Sequence, residues 1–295
     1  MLHATPSPAL VAQPAPGLPV ARLVVGRGVD EVASLLPRLF NLCRAAQGAA
    51  VEAALGRPVK SDGIAEEILR DHLLKFHVTW PGFFGLPPCP LPGDWAEGGA
   101  DLRRAVFGPS GQAPATPADF FAFLSGEEGY APILRKIDGC FAMGEAVAEG
   151  LAPVRAATIW QVGRADNSVA ARRADHPAMA GIAARRRQGP LWRAAARLYD
   201  IAAVLSGDVP PVLTPAAGEA IVPAARGTYA VRIRSRGGIV TGFERVTPTD
   251  HLLAEGGALD RTLASLPADK AGLGPLLLDI LDPCSPVRLK EVAHA

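Results

Sequence analysis

Asp282-Pro283-Cys284-Ser285-Pro286-Val287-Arg288, with His294 six residues further on and Ala295 last, is the stretch on which the reading of this chain turns. A Cys just after an Asp-Pro step is expected in the first turn of a short terminal helix, with Asp282 as N-cap and Pro283 at the first helical position. Unpaired backbone N–H groups and the helix dipole favour a thiolate there, and thiolate is the form that binds metals. The plainer alternative is a buried structural Cys beside a helix stop, because one Cys makes no site.

Far upstream, Arg38-Leu39-Phe40-Asn41-Leu42-Cys43-Arg44-Ala45-Ala46-Gln47-Gly48 again puts an Asx residue two positions before a Cys at a helix start. Ala46, Gln47, Ala50 and Ala54 share the face of Cys43 on that helix, and most of them are small. Small residues leave room beside a sulfur, although a helix packed tightly on a neighbour would use the same alanines.

Together these segments resemble the two cysteine motifs of nickel–iron hydrogenase large subunits. That family carries R-x-C-G-x-C upstream and D-P-C-x-x-C-x-x-H at the end, each motif giving two thiolates to nickel and its second Cys bridging to iron. Here Cys43 and Cys284 match the first Cys of each pair. Ala46 and Val287 stand where the second would be, Asn41 replaces the Arg, and Lys290 falls at the His position. Two thiolates do not make the four-thiolate, soft-ligand site that selects nickel. No nickel and no hydrogenase activity, indeed no enzyme, is expected.

The resemblance continues between 219 and 281. Ile221-Val222-Pro223-Ala224-Ala225-Arg226-Gly227 looks like the family's Arg-Gly segment entering a strand, which implies that Arg226 lies over the iron and faces its cyanides. Val246-Thr247-Pro248-Thr249-Asp250-His251 looks like A-P-T-D-W-N, with Thr249 at the place that donates to cyanide and His251 where the family has Trp. Taken alone, Arg226 is a surface Arg at a strand entrance and Thr249 caps a turn. An iron bearing cyanides is nonetheless an anionic, hydrogen-bond-accepting guest, for which cationic and hydroxyl donors are the right chemistry.

A narrower resemblance is to shortened accessory relatives of the large subunit that mature it, carried by residues 35 to 47 and by an end one residue past His294. It implies a cytoplasmic scaffold that holds iron transiently as Fe(CN)2(CO) on Cys43 and Cys284 and passes it on. The implied partners are the hydrogenase large subunit precursor and a HypC-type maturation chaperone. The alternative is a fold-mimicking chaperone that binds hydrogenase subunits or maturation proteins, with no metal of its own.

Composition agrees without deciding. The chain has 295 residues, 49% of them hydrophobic, enough for a substantial core. A net charge of +1 gives no electrostatic case for nucleic acid. Cys43, Cys89, Cys140 and Cys284 are too far apart for a C-x-x-C zinc spacing. The Ala/Pro-rich start has neither a basic nor an apolar segment, so no signal peptide or membrane span is expected.

The expected fold is α+β, mainly helical, and large-subunit-like but shortened. A flexible tail spans 1–18 and one domain spans 19–295. A strand is expected at 20–25, helices at 29–55 with a break near Pro37, then at 62–77, 117–125, 130–149, 176–206 as a pair, 258–267 and 272–281, and a hairpin at 228–246. Arg172 to Arg197 reads as an amphipathic helix with a solvated basic face. Phe76 to Pro92 reads as an exposed apolar loop suited to docking a partner. His72 and His77, five apart, do not share a helical face and are not expected to bind a metal together.

Overall fold

The structure is a computed structural model that describes residues 10–39, 42–59 and 61–291. Strand β1 (Leu10–Pro14) leads to α1 (Val20–Val24), α2 (Val29–Leu39), α3 (Arg44–Ala54) and α4 (Asp62–Leu74). The last runs through a π-helical turn, Lys75–Thr79, into α5 (Trp80–Phe83). Next come α6 (Ala100–Phe107), α7 (Pro117–Ser125), α8 (Ala131–Cys140), the short parallel pair β2 (Ala152–Pro153) and β3 (Ala165–Asp166), and α9 (Val169–Arg172). Helices α10 (Pro177–Arg186) and α11 (Pro190–Leu205) precede strands β4 (Glu219–Ala224), β5 (Gly227–Arg236) and β6 (Ile239–Val246). The chain closes with α12 (Pro248–Leu252), α13 (Ala258–Ala264), α14 (Gly274–Leu281) and β7 (Val287–Glu291). This is the expected mainly helical α+β architecture.

Local chemistry sets most boundaries. Thr116 accepts from the Asp119 N–H while Asp119 reaches back to the Thr116 N–H, a capping box that starts α7 with Pro117 in its first turn. The β5–β6 hairpin turns through Gly237 and Gly238 at φ 57° and 77°, the paired positive values that a two-residue primed turn requires. Gly63 of α4 faces the Ala45 methyl of α3, so the two helices approach closely.

Two cores result. Helix α11 lies in the first, with Leu191, Leu198 and Ile201 packed among Leu73, Trp80, Leu134 and Met179. The second sets Ala46 and Ala50 of α3 and Leu36 of α2 on Val222, Tyr229 and Val231 of the sheet. The alanine face of α3 is thus tight packing, not free space.

Several expectations need correction. Residues 20–24 are helical, not a strand, and α8 stops at Cys140. Leu10–Pro14, within the segment expected to be a flexible tail, pairs antiparallel with Val287–Glu291; residues 1–9, Asn41 and His294 lie outside the described residues. No terminal helix holds Cys284. Pro283 and Pro286, three apart, would leave a helix there short of donors, and pairing with β1 offers a ladder in its place. Phe76 and Trp80 are buried, and of the large hydrophobic residues in that stretch Val78, Phe83 and Leu86 are exposed. Arg185, Arg186 and Arg187 do face solvent, but Arg172, Arg173, Arg193 and Arg197 turn inward to carboxylates. Among the described residues no helix is long and apolar enough to cross a membrane.

The inward charges centre on Asp200 of α11. Its carboxylate accepts from Arg172 Nη2 at 2.6 Å, Arg173 Nε at 2.7 Å and His72 Nε2 at 2.7 Å. Arg197 Nη1 approaches His72 Nδ1 at 2.8 Å, so a neutral ring protonated on Nε2 satisfies both neighbours. Arg172 Nη1 also donates to the carbonyls of Ala224 and Gly227, at 3.0 and 2.9 Å, and thereby clamps the β4–β5 turn. Asn167 holds the same turn by accepting from Thr228 N–H at 2.7 Å and donating to Thr228 O at 2.9 Å.

Burial lowers the His72 pKa from its ordinary 6.5, against the pull of its Asp200 bond. Burial would raise Asp200, but Arg172 and the His72 bond outweigh it and hold the carboxyl well below the usual range. The folded protein therefore keeps His72 unprotonated where the unfolded chain would protonate it. Its contribution is complete above the ordinary histidine value and drains as pH falls beneath it, whereas that of Asp200 persists into far stronger acid. Urea unfolding should show stability falling between about pH 7 and pH 5. His72→Gln should flatten that slope by up to roughly 1.4 kcal/mol per pH unit, with His77, His176 and His251, whose values burial also lowers, supplying the remainder. An unchanged slope in His72→Gln would contradict the neutral-ring arrangement. Gly227, at φ 150°, has no room for a Cβ, which would meet Asn167 O at 2.4 Å. Gly227→Ala should cost about 1–3 kcal/mol in the same assay.

Candidate functional site

Cys43 is the N-cap of α3 and lies in the left-handed region at φ 55°, ψ 38°, with its side chain making no cap hydrogen bond. Glu67 of α4 does the capping from across the interface, accepting from Ala45 N–H at 2.7 Å and Ala46 N–H at 3.2 Å. The thiol is left free, half-buried beside an open cleft lined by Leu42, Arg44, Glu66, Arg70 and Ala225. Burial pushes the Cys43 thiol up to about 12, with the Glu67 and Asp71 carboxylates adding to the rise and Arg226 opposing it. Its place at a helix start therefore does not favour the thiolate in the metal-free protein. A carboxylate occupies the helix end that would have stabilised the sulfur charge.

Cys284 follows a backbone reversal at Asp282, which caps α14 at its C-terminus in the left-handed region rather than opening a helix. Its N–H donates to Thr249 Oγ1 at 2.7 Å, and the same oxygen lies 2.8 Å from its Sγ. An oxygen that accepts the N–H has its own proton available for a sulfur anion. Thr249 is placed by a second capping box, in which Thr247 and Asp250 start α12. His251, at the Trp position of the resemblance, is buried and its Nε2–H donates to Ile159 O at 3.1 Å, which makes it a packing residue.

Arg226 sits on the clamped turn between the two cysteine segments. Nη1 donates to Pro283 O at 3.1 Å, Nη2 lies 3.4 Å from Asp71 Oδ1 and Nε lies 2.9 Å from Asp282 Oδ2. The guanidinium thus touches the backbone of the residue before Cys284, while its charge, like that of Cys284, acts on Cys43. Cys43, Cys284, Arg226 and Thr249 form one neighbourhood. Among the described residues no group of three or more His, Cys, Asp or Glu side chains is arranged to hold a metal ion. Exposed Cys89 and half-buried Cys140, whose Sγ donates to Lys136 O, engage other parts of the fold.

Sequence reasoning missed the supports. Asp71 and Asp282 anchor Arg226, Arg197 anchors Asp282 with an Nη2–Oδ2 bond of 2.7 Å, and Glu67 replaces the expected cap. A trace of this existed in Asp71-His72, two polar residues inside an otherwise apolar helical period, but nothing in the pattern named their partners.

No family model matches the chain. The hydrogenase expression/formation protein HupK of Rhodobacter capsulatus is 50% identical over 278 residues, which cover 94% of this chain and 92% of that protein. Among solved structures, the Ni-Fe-Se hydrogenase of Desulfovibrio vulgaris Hildenborough in its reduced state superposes with a TM-score of 0.52 at 12% identity over 92% of each chain. An oxygen-pressurised variant of that hydrogenase gives 0.54 at 13% identity over 92% of each chain. At such identity the superposition speaks for fold alone, that of the hydrogenase large subunit, whereas half-identity over nearly the whole length speaks for kinship: the chain belongs to the HupK family of hydrogenase expression/formation proteins.

Proposed function

We propose that this protein is a non-enzymatic scaffold in the maturation of nickel–iron hydrogenase, which receives an Fe(CN)2(CO) unit on Cys43 and Cys284 and passes it to the large subunit precursor. The observation that supports the reading is that Arg226, tied to Pro283 O beside Cys284, acts electrostatically on the Cys43 thiol, while Thr249 bonds Cys284. Thiolates would ligate the iron. Arg226 and Thr249 would donate to its cyanides, because cyanide nitrogen accepts hydrogen bonds and carries negative charge. Only two protein ligands would hold the unit, which suits delivery and removal. A HypC-type chaperone is the proposed donor, and the cytoplasm is the proposed setting, since it keeps such thiols reduced.

Infrared spectroscopy with metal analysis, on protein purified anaerobically from cells that carry the maturation partners, tests the reading. Cyanide and carbonyl bands with iron and without nickel are expected, and Cys43→Ala or Cys284→Ala should remove both bands and abolish maturation while leaving the thermal melt cooperative. Maturation untouched by both substitutions would defeat the scaffold. Iron-free protein that still co-purifies with hydrogenase components would point to a chaperone that only mimics the large-subunit fold.

The state of Cys43 before loading has its own test. Because the thiol is pushed up to about 12, it is protonated at neutral pH, and its reactive anion grows in only as the solution turns alkaline. Iodoacetamide at neutral pH should label exposed Cys89 well before Cys43, with Cys43 labelling accelerating as pH rises; prompt neutral-pH labelling at Cys43 would show a thiolate already present.

A further inference from the structure

A residue that caps the start of a helix is normally extended, with its side chain turned back to an N–H of the first turn. Thr116, Ser168 and Thr247 follow this rule at the starts of α7, α9 and α12, at φ −114°, −129° and −112°, each accepting from the N–H three residues on. Cys43 breaks it at the start of α3, with φ 55°, ψ 38° and no cap bond from its sulfur. The left-handed region crowds Cβ against the carbonyl oxygen, so a residue other than glycine stays there only where its surroundings hold it.

Gln47 supplies the hold. One turn into α3, its backbone N–H donates to Cys43 O at 2.9 Å, the ordinary first bond of the helix, and its side-chain Nε2 donates to Leu42 O at 3.1 Å. Leu42 O and Cys43 O belong to the two rigid peptide planes on either side of the Cys43 Cα, and φ and ψ are the rotations that relate those planes. One residue thus restrains both dihedrals. The Gln47 side chain lies on the buried face of α3, and its Oε1 is buried without a partner. An unsatisfied buried carbonyl is costly, so an apolar side chain of similar size would fill this place better, and what the carboxamide brings is its donor. Glu67, by accepting from Ala45 N–H and Ala46 N–H, occupies the donors that would draw the sulfur into a cap. With the backbone pinned and the cap taken, the thiol is left at the cleft.

We propose that Gln47 is the positioning residue of Cys43: a two-point clamp, backbone N–H on Cys43 O and side-chain N–H on Leu42 O, that locks the cysteine in its left-handed conformation and presents the thiol to the cleft. Its meaning for cargo rests on the scaffold reading, since a ligand sulfur already in place loads with less reorganisation. The lock itself is a property of the iron-free chain.

The lock is tested first without iron, as a double-mutant cycle in full-length protein. Glycine adopts the left-handed region freely and alanine does not, so Cys43→Gly should unfold at a higher urea concentration than Cys43→Ala. Gln47→Met keeps the volume and removes the Nε2 donor. Combined with it, the two Cys43 variants should unfold together, because the freed segment relaxes to an extended cap that alanine also tolerates. A residue that only packs would shift both midpoints alike and leave the difference at position 43 unchanged. Equal midpoints for glycine and alanine beside native Gln47, or a glycine advantage that survives Gln47→Met, overturns the proposal; Gln47→Leu gives the same comparison should the Met variant misfold. The loading arm keeps both cysteines. Infrared spectroscopy and metal analysis of Gln47→Met from cells with the maturation partners should show cyanide and carbonyl bands and iron reduced roughly tenfold, the scale of loss when a residue that orients a metal ligand is removed, with the melt still cooperative. Full loading in this variant overturns the positioning role. Unsubstituted protein that carries no iron would sink the scaffold and leave the lock to be decided by the urea cycle alone.

Discussion

Asp282 is the residue on which both the fold and the site depend. Its buried carboxylate receives Arg197 from α11 and Arg226 from the β4–β5 turn, and Lys75 from the end of α4 lies 3.0 Å from its other oxygen. A lone buried carboxylate is costly, and so is a lone buried guanidinium, so each of these elements holds the others in place. The geometry this imposes is a left-handed residue at φ 55° before Pro283, which turns the chain out of α14 and brings Cys284 N–H to Thr249. A helix continuing through this point would carry the cysteine away from Arg226. The ion cluster is therefore the hinge pin between the α11 core and the sheet core.

Around that pin the charge is layered. Asp71 pairs with both Arg197 and Arg226, and burial of its carboxyl is outweighed by those two cations, which lower its pKa. Lys75 bridges Asp279 and Asp282, and Trp80 Nε1 donates to Asp279 Oδ1 at 2.8 Å. Each cation facing the cysteines thus has a carboxylate behind it. Such networks are weak sources of stability but strong constraints on geometry, since removing one member strands another.

What the sequence disclosed, and what it hid, follows from the range of each signal. Capping boxes, a Gly-Gly turn and helical periods are local, and they marked α7, the α10–α11 pair and the β5–β6 hairpin well. The position of Cys284 was misjudged because Asp-Pro-Cys reads equally as a helix start and as the exit from one; the deciding facts, the end of α14 and pairing with Leu10–Pro14, lie far off in sequence. Arg193 and Arg197 looked like a solvated face because a period of 3.6 shows which residues share a side, not whether carboxylates wait there. Cys43, Cys284, Arg226 and Thr249 could be singled out by resemblance to a family. Glu67, Asp71, Asn167 and Arg172 could not, because their work is done through backbone groups and charges of other segments.

If the two thiols hold iron as proposed, the electrostatics around them favour a relay over a store. Cys43 faces Glu67 and Asp71, which favour its protonated form, while Arg226 favours its anion. A metal must displace a proton from such a sulfur, so the binding energy it gains is reduced by the cost of that deprotonation. Cys284 instead has a hydroxyl beside it, and Thr249 can turn its proton towards a metal-bound sulfur at 2.8 Å. On the proposed reading, one ligand that lets go easily beside one supported by a donor would give an asymmetric grip. A cargo held this way can leave through the open cleft at Cys43 once a recipient with more thiolates competes for it, since added soft ligands deepen the thermodynamic well on the recipient's side.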